Sequence, residues 1–203
     1  MPIDLTEYTK FFIAMLAIVD PLAIVPVYLQ ATRNYTVAEK ARLPSQTSLA
    51  VIAVLLITLF LGEAILTFFG ISLASFRVAG GLLLMIMALQ SLYVSPSHTW
   101  LDSADEGERQ VVVPIAIPLL AGPGAISTVV VYSFRGDNGQ HYALLAGCIT
   151  IIGLIVWLSL TMAERIQKRL GPTAIAITNK IMALIMAAIG VEFIANGIRV
   201  LAA

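Results

Sequence analysis

The sequence predicts an all-α membrane protein in which six transmembrane helices form two inverted three-helix repeats. Three observations support this fold class. The 203 residues are 59% hydrophobic and only 12% charged, which is about half the charged fraction of an average soluble domain. The apolar residues fall into six long stretches. The two halves of the chain also align with each other, since Pro123 follows Pro21 by 123 − 21 = 102 positions.

Each of the six stretches has the length of a membrane span, because a helix needs about 20 apolar residues to cross about 30 Å of hydrocarbon. Thr36 and Glu39 precede the second stretch with the spacing of a capping box, so this helix is expected to begin before it enters the membrane. We predict one membrane domain, with a first repeat at 1–94, an acidic linker at 95–110 and a second repeat at 111–203. The six stretches are residues 9–30, 47–68, 73–94, 111–133, 142–162 and 180–202.

The basic residues predict how the protein sits in the membrane. Lys and Arg in short loops favour the cytoplasmic side, and the loops after the first, third and fifth spans hold eight of the twelve. Both termini and the remaining four basic residues are therefore expected outside. The eight are Arg33, Lys40, Arg42, Arg109, Arg165, Lys168, Arg169 and Lys180; the other four are Lys10, Arg77, Arg135 and Arg199.

The internal repeat has a consequence for topology. An offset of 102 pairs Arg77 with Asn179 and Gln90 with Glu192, and an offset of 101 pairs Gly70 with Gly171. Each repeat has three spans, an odd number, so the second repeat enters the membrane from the opposite face. Inverted repeats are typical of secondary transporters, in which two similar halves open one site to either side in turn.

A proline interrupts the first helix of each repeat near the predicted midplane. Asp20-Pro21 lies within the first span, and Gly122-Pro123-Gly124 lies within the fourth. Proline lacks an N–H and clashes with the preceding turn, so both helices should break there. Broken backbone at this depth must be buried in protein or line a cavity, and we therefore expect the two breaks to face each other. A packing kink is the alternative.

The two breaks predict a site for a zwitterion. A half-helix that starts at a break presents free N–H groups to a carboxylate, and its partner presents carbonyls to an ammonium group. Charged groups within a span normally find partners or mark a transport path. The predicted substrate-binding residues are Asp20, Pro21, Leu22, Arg77, Gly122, Pro123, Gly124, Ser127 and Asn179. For Arg77, which lies about one turn into the third span, snorkelling to the outer interface is the alternative. The candidates for proton or ion coupling are Asp20, Gln90 and Glu192, with a helix–helix hydrogen bond as the alternative for the last two.

Other kinds of site find little support in the sequence. The single cysteine, Cys148, has no partner for a disulfide or a cysteine-based metal site. His98 and His141 stand apart in polar segments, where we expect solvated side chains. No nucleotide loop, metal cluster or nucleophile with its base is recognisable. We therefore expect no enzyme, no metal or other cofactor, and, because the net charge is zero, no nucleic-acid partner.

Several motifs resemble those of one family. They are Asp20-Pro21, Phe69-Gly70-Ile71-Ser72, Arg77-Val78-Ala79-Gly80-Gly81, Pro118-Leu119-Leu120-Ala121-Gly122-Pro123-Gly124 and Asn196-Gly197-Ile198. On these motifs the chain resembles the MarC family, also called the SnatA-like neutral amino acid transporter family, along essentially its whole length. Lys180 and Ala183 depart from the Arg and Gly that the family often has, which bears on substrate range more than on fold.

The resemblance implies a multi-pass protein of the bacterial or archaeal cytoplasmic (inner) membrane that transports small neutral amino acids such as glycine and alanine. We expect export or exchange by alternating access around the broken helices. Coupling to protons or sodium and assembly into a homo-oligomer both stay open. The alternative is a membrane scaffold or sensor that transports nothing, in which the breaks only serve packing.

Overall fold

The computed structural model describes residues 5–93, 120–136 and 138–202. Seven α-helices occupy these ranges, and none of the described residues forms a β-strand. The helices are α1 (Leu5–Val19), α2 (Ile24–Ala31), α3 (Val37–Phe69), α4 (Leu73–Tyr93), α5 (Pro123–Ser133), α6 (Gly139–Thr161) and α7 (Ala163–Leu201).

Four of these helices, α3, α4, α6 and α7, are long and apolar enough to cross a membrane. Helices α1 and α2 meet at a bend of 40° and form a fifth candidate span if they are taken together. The predicted first, second, third, fifth and sixth stretches therefore all lie on helices. The linker at 95–110 and the first part of the predicted fourth span, residues 111–119, lie outside the described residues, so the count of six spans stays a prediction.

Helix α3 begins where the capping box predicts. The Thr36 hydroxyl accepts the Glu39 N–H at 3.4 Å, and the Glu39 carboxylate accepts the Thr36 N–H at 2.7 Å. Pro44 lies two turns into this helix and has no N–H for the Lys40 carbonyl. The Tyr28 hydroxyl donates to that carbonyl at 3.3 Å, so a side chain of α2 replaces the missing hydrogen bond and holds the start of α3.

Helix α7 is longer than the predicted sixth span, which begins at residue 180. Its first two turns end at Gly171, where φ is 69° and ψ is 167°, and Pro172 follows. Gly70, which the predicted repeat pairs with Gly171, ends α3 with φ of 65°. A positive φ favours glycine, so both positions have the residue that their backbone requires.

The most extensive contact between two helices is that of α4 with α7, and the contact of α3 with α6 comes next. A Cβ on Gly81 would lie 2.6 Å from the Gly190 carbonyl oxygen, and a Cβ on Gly197 would lie 2.8 Å from the Ala74 carbonyl oxygen. From Gly81 back to Ala74 on α4, the contacting residue on α7 moves forward from Gly190 to Gly197. Helices α4 and α7 therefore run antiparallel. The side chain of Trp157 reaches Ser45 on α3, and the Ser48 hydroxyl donates to the Gly153 carbonyl at 2.6 Å. Helices α3 and α6 are therefore antiparallel too.

Candidate functional site

The first break is a change of backbone conformation at Asp20, which separates α1 from α2. Its φ is 39°, a conformation that few residues other than glycine adopt and that aspartate tolerates. Pro21 is buried, and Leu22 and Ala23 complete the turn before α2 begins at Ile24. One Asp20 carboxylate oxygen accepts the Ala23 N–H at 3.3 Å. The carboxylate thus stabilises the turn that leads into α2 and lies near the positive end of the α2 dipole.

The second predicted break lies at the start of α5. Gly122 has an extended backbone, Pro123 is the first helical residue, and the Ile126 N–H makes the first bond of the helix, to the Gly122 carbonyl at 3.1 Å. The N–H groups of Gly124 and Ala125 come before that bond and have no acceptor within the helix. No side chain in the described part of the chain caps this end. The N-terminus of α5 therefore offers two donors, on residues that are both buried.

Helix α4 covers the first turns of α5. A Cβ on Gly80 would lie 2.7 Å from the Ser127 Cβ, and a Cβ on Gly124 would lie 2.6 Å from a methyl group of Leu84. Ser127 is buried in this contact. Three of the predicted substrate-binding residues, Gly122, Gly124 and Ser127, are thus brought together where α5 starts.

Arg77 lies further out along α4. It occupies the same face as Leu84, about 10 Å away along the helix axis at 1.5 Å per residue. Its Nε is buried, and no described residue accepts from it. Asn179, its repeat counterpart, is 6% exposed, and its Oδ1 likewise finds no donor in the described part of the chain. Buried polar atoms normally have partners, so these two atoms are candidates for contact with a ligand.

Gln90 and Glu192, the other candidates for coupling, are both exposed. Glu192 lies within electrostatic range of Tyr132 at the end of α5, so it faces the end of the molecule at which α5 terminates. The structure does not bring Gln90 or Glu192 into the buried contact between α4 and α5. Of the two departures from the family pattern, Lys180 is exposed and Ala183 is completely buried.

A polar cluster that the sequence analysis missed lies at the far end of α5. His141 was expected to be solvated, and this was wrong, because it is only 9% exposed and both ring nitrogens are hydrogen-bonded. Its Nε2 lies 2.9 Å from the Tyr132 carbonyl oxygen, and since a carbonyl only accepts, Nε2 carries a proton. Its Nδ1 lies 2.9 Å from the Tyr8 hydroxyl. His141 thus caps the C-terminus of α5 and connects it to α1. The second histidine, His98, lies outside the described residues.

An ion pair continues this cluster at the surface. Arg135 donates to the Glu7 carboxylate at 3.1 Å, and its guanidinium carbon lies 4.1 Å from the centre of the Tyr132 ring. One turn along α1, the rings of Phe11 and Tyr132 are 5.0 Å apart. The partner number falls from 135 to 132 as the α1 number rises from 7 to 11. Helices α1 and α5 are therefore antiparallel neighbours.

The chain has relatives along nearly its whole length. The sequence model described as the MarC family integral membrane protein matches residues 5–202. The chain is 36% identical to the UPF0056 membrane protein YhcE of Escherichia coli (strain K12), over 97% of this chain and 94% of the relative. It is 34% identical to the UPF0056 membrane protein MJ1677 of Methanocaldococcus jannaschii, over 97% of this chain and 98% of the relative.

A third relative, the UPF0056 membrane protein BU267 of Buchnera aphidicola, is 36% identical over 96% of this chain and 93% of its own length. No solved structure matches the chain. The names of these relatives specify a membrane protein and no substrate. With the family match from residue 5 to residue 202 and several apolar helices that could cross a bilayer, the chain belongs to the MarC family of integral membrane proteins.

Proposed function

We propose that this protein is a secondary transporter of small neutral amino acids such as glycine and alanine. In this proposal six spans form two inverted repeats in the cytoplasmic membrane, with both termini outside, and the repeats move against each other around a site between the breaks. Substrate leaves the cell or is exchanged across the membrane, coupled to protons or sodium, and no reaction is catalysed.

The observation that carries the proposal is the relation between the two breaks. The antiparallel contact of Phe11 with Tyr132 fixes how α1 and α5 lie beside each other. Nine residues further along α1 is Asp20, and nine residues back along α5 is Pro123. At 1.5 Å per residue both distances are about 13 Å. These equal distances support a site in which Asp20 and Pro123 lie at a similar level.

The helix contacts support the inverted repeat. Helices α1 and α2 contact α6 and α7, and α5 contacts the repeat counterparts of those two, α3 and α4. Exchanging the repeats leaves this pattern unchanged. Ile52 packs against Gly153, its own counterpart at an offset of 101, as expected for residues close to a twofold axis. The equivalent glycines with positive φ, Gly70 and Gly171, fit the same symmetry.

The chemistry of the breaks suits the two ends of an amino acid. The N–H groups of Gly124 and Ala125 can donate to a substrate carboxylate, with the α5 dipole adding to the attraction. The carboxylate of Asp20 can accept from a substrate ammonium group. The unpartnered Arg77 Nε and Asn179 Oδ1 supply one more donor and one more acceptor. Both kinds of group that a zwitterion needs are therefore available near the breaks or a few turns away.

The scaffold or sensor function has one observation in its favour. Asp20 already accepts the Ala23 N–H, as a purely structural helix cap would. Replacing Pro21 and Pro123 together by alanine separates the two functions. A transporter should lose flux, because the half-helix ends close, whereas a scaffold should keep its folding and its assembly.

The proposal is tested directly by reconstitution. Purified protein in liposomes is loaded with unlabelled glycine or alanine, and uptake of the labelled amino acid is followed with no gradient, with a pH gradient and with a sodium gradient. Protein-free liposomes and an amino acid with a large side chain serve as controls. We expect labelled glycine or alanine to enter above the protein-free level. Equal uptake in both kinds of liposome under all three conditions would rule out this transport function.

A further inference from the structure

Two segments that are distant in sequence bring basic side chains to one end of the molecule. The connection from α2 to α3 lies beside the first turns of α7, because Trp157 near the end of α6 donates from its Nε1 to the Ser45 hydroxyl near the start of α3 at 3.3 Å, and α7 begins six residues after Trp157. Helix α2 also contacts α7. We call the basic residues of these two segments the basic patch; they are Arg33, Lys40, Arg42, Arg165, Lys168 and Arg169.

The first turns of α7 have two different faces. Ala163 is buried and Ile166 packs against the core, whereas Arg165, Lys168 and Arg169 are exposed on the opposite side. Spacings of three and four residues align these three cations on one face of the helix. The helical path is interrupted at Gly171 immediately after them. The segment therefore forms a short amphipathic helix next to a membrane span.

The two described segments that form this surface have a positive net charge. The basic patch has six cations, and two carboxylates lie in the same segments, Glu39 and Glu164, so the net charge of these segments is 6 − 2 = +4. Glu39 is engaged by the Thr36 hydroxyl and N–H. Apolar side chains lie among the cations, since Val37 is 87% exposed and Leu170 is 46% exposed. Cations mixed with exposed apolar side chains are typical of a surface at the lipid headgroups.

We propose that the basic patch binds the headgroups of anionic phospholipids. The lipid phosphates approach the cations of the α2–α3 connection and of α7, while Val37 and Leu170 reach toward the acyl chains. Phospholipid provides both the negative charge and the apolar part that this surface fits, which a soluble anion does not. The inference concerns lipid recognition and does not depend on the transport function.

The chain offers a matched pair of variants for the test. Lys168→Gln/Arg169→Gln removes one Lys and one Arg from the basic patch. Lys10→Gln/Arg199→Gln removes one of each from exposed positions outside the basic patch. Full-length protein in neutral detergent is titrated with dioleoyl phosphatidylglycerol or dioleoyl phosphatidylcholine, and bound lipid is counted by native mass spectrometry together with thermal stability.

We expect wild type to bind phosphatidylglycerol about ten-fold more tightly than phosphatidylcholine, and the double variant of α7 to lose most of this preference. The control double variant should keep it. Arg33→Gln/Arg42→Gln tests the other segment of the basic patch and should also lose the preference for phosphatidylglycerol. Because two separate segments are tested, a folding defect in one variant does not decide the outcome.

Three results would overturn the inference. They are equal binding of the two lipids by wild type, an equal loss in the α7 and control variants, and equal stabilisation by glycerol phosphate at the same phosphate concentration. The last result would assign the basic patch to free anions. Glycine or alanine flux has no part in any of the three, so failure of the transport function leaves this test unaffected.

Discussion

The starts of α2 and α5 differ in chemistry. Before α2, the Asp20 carboxylate accepts the Ala23 N–H in the turn that leads into the helix. Helix α5 starts at Gly122-Pro123 without a side-chain cap in the described part of the chain. One start therefore has a carboxylate beside it, and the other has backbone donors without an acceptor among the described residues. This difference suits a ligand whose two ends have opposite charges.

The largest expected effect comes from neutralising the carboxylate before α2. Asparagine also tolerates a positive φ and has a side-chain oxygen that can accept the Ala23 N–H, so Asp20→Asn should preserve the bend and the thermal stability while it removes the charge that a substrate ammonium group would contact. We expect flux of glycine or alanine to fall at least about ten-fold, since hydrogen bonds to charged groups contribute about 1.5–3 kcal/mol. Liposome flux and thermal unfolding of the same preparation measure the two effects separately. Unchanged flux would remove Asp20 from the site.

The close contact of α5 with α4 is expected to have the next largest effect. Gly80→Ala would bring a methyl group to 2.7 Å from the Ser127 Cβ, and overpacking of this kind costs about 1–3 kcal/mol. Gly147→Ala on α6 is the matched control, because nothing lies within 4 Å of its added Cβ. In detergent, only Gly80→Ala should have an unfolding temperature below that of wild type. Equal stability of the two variants would mean that α4 does not hold the start of α5 in this way.

Introducing a carboxylate at the start of α5, like the one that precedes α2, is expected to have a moderate effect. Gly122→Asp would place a carboxylate at the start of α5, where it would accept the N–H groups that the substrate is proposed to use. A helix cap contributes about 1 kcal/mol, so substrate binding should weaken about five-fold. Gly122→Ala adds a Cβ without a cap and separates the effect of size from that of capping. Substrate-dependent thermal stabilisation gives the comparison, and an equal loss in both variants would contradict it.

The smallest effects are expected where α1 contacts the far end of α5. Tyr8→Phe removes the hydroxyl that lies 2.9 Å from His141 Nδ1 and should cost about 0.5–1.5 kcal/mol. Glu7→Gln breaks an ion pair that is partly exposed to solvent, and such pairs contribute about 0–1 kcal/mol. Thermal unfolding at low and high salt distinguishes the two, since only the Glu7 effect should shrink with added salt. A larger loss of stability in Glu7→Gln than in Tyr8→Phe would mean that the ion pair is the stronger contact.

The helices could largely be predicted from the sequence, because apolar stretches of span length and the Thr36–Glu39 spacing are local signals. The sequence also identified Asp20-Pro21 and Gly122-Pro123 as positions where the helical hydrogen-bond pattern must fail. It could not reveal the positive φ of Asp20 or the bond of its carboxylate to the Ala23 N–H, since many residues in a span could adopt either a helical or a bent backbone. The break within α7 was missed because Gly171-Pro172 lies in a polar segment that was treated as a loop.

Other features depend on contacts between residues far apart in the sequence. His141 has its two partners on α1 and α5, 133 and nine residues away, so its burial has no local signal. Arg77 was predicted beside the breaks from its polarity within a span. The packing of α4 on α5 instead places Gly80 and Leu84 against the start of α5, and no short sequence motif encodes that packing.

The hydrogen bond that Tyr28 makes in place of the Pro44 N–H has a mechanical consequence. It joins the last turn of α2 to the start of α3. Helix α1 is joined to residues at the end of α5 and the start of α6, through Glu7 with Arg135 and Tyr8 with His141. The two arms of the bent pair are thus held by polar contacts to different helices. A relative displacement of those contacts would twist the backbone of residues 20–23, where the Asp20 carboxylate is located.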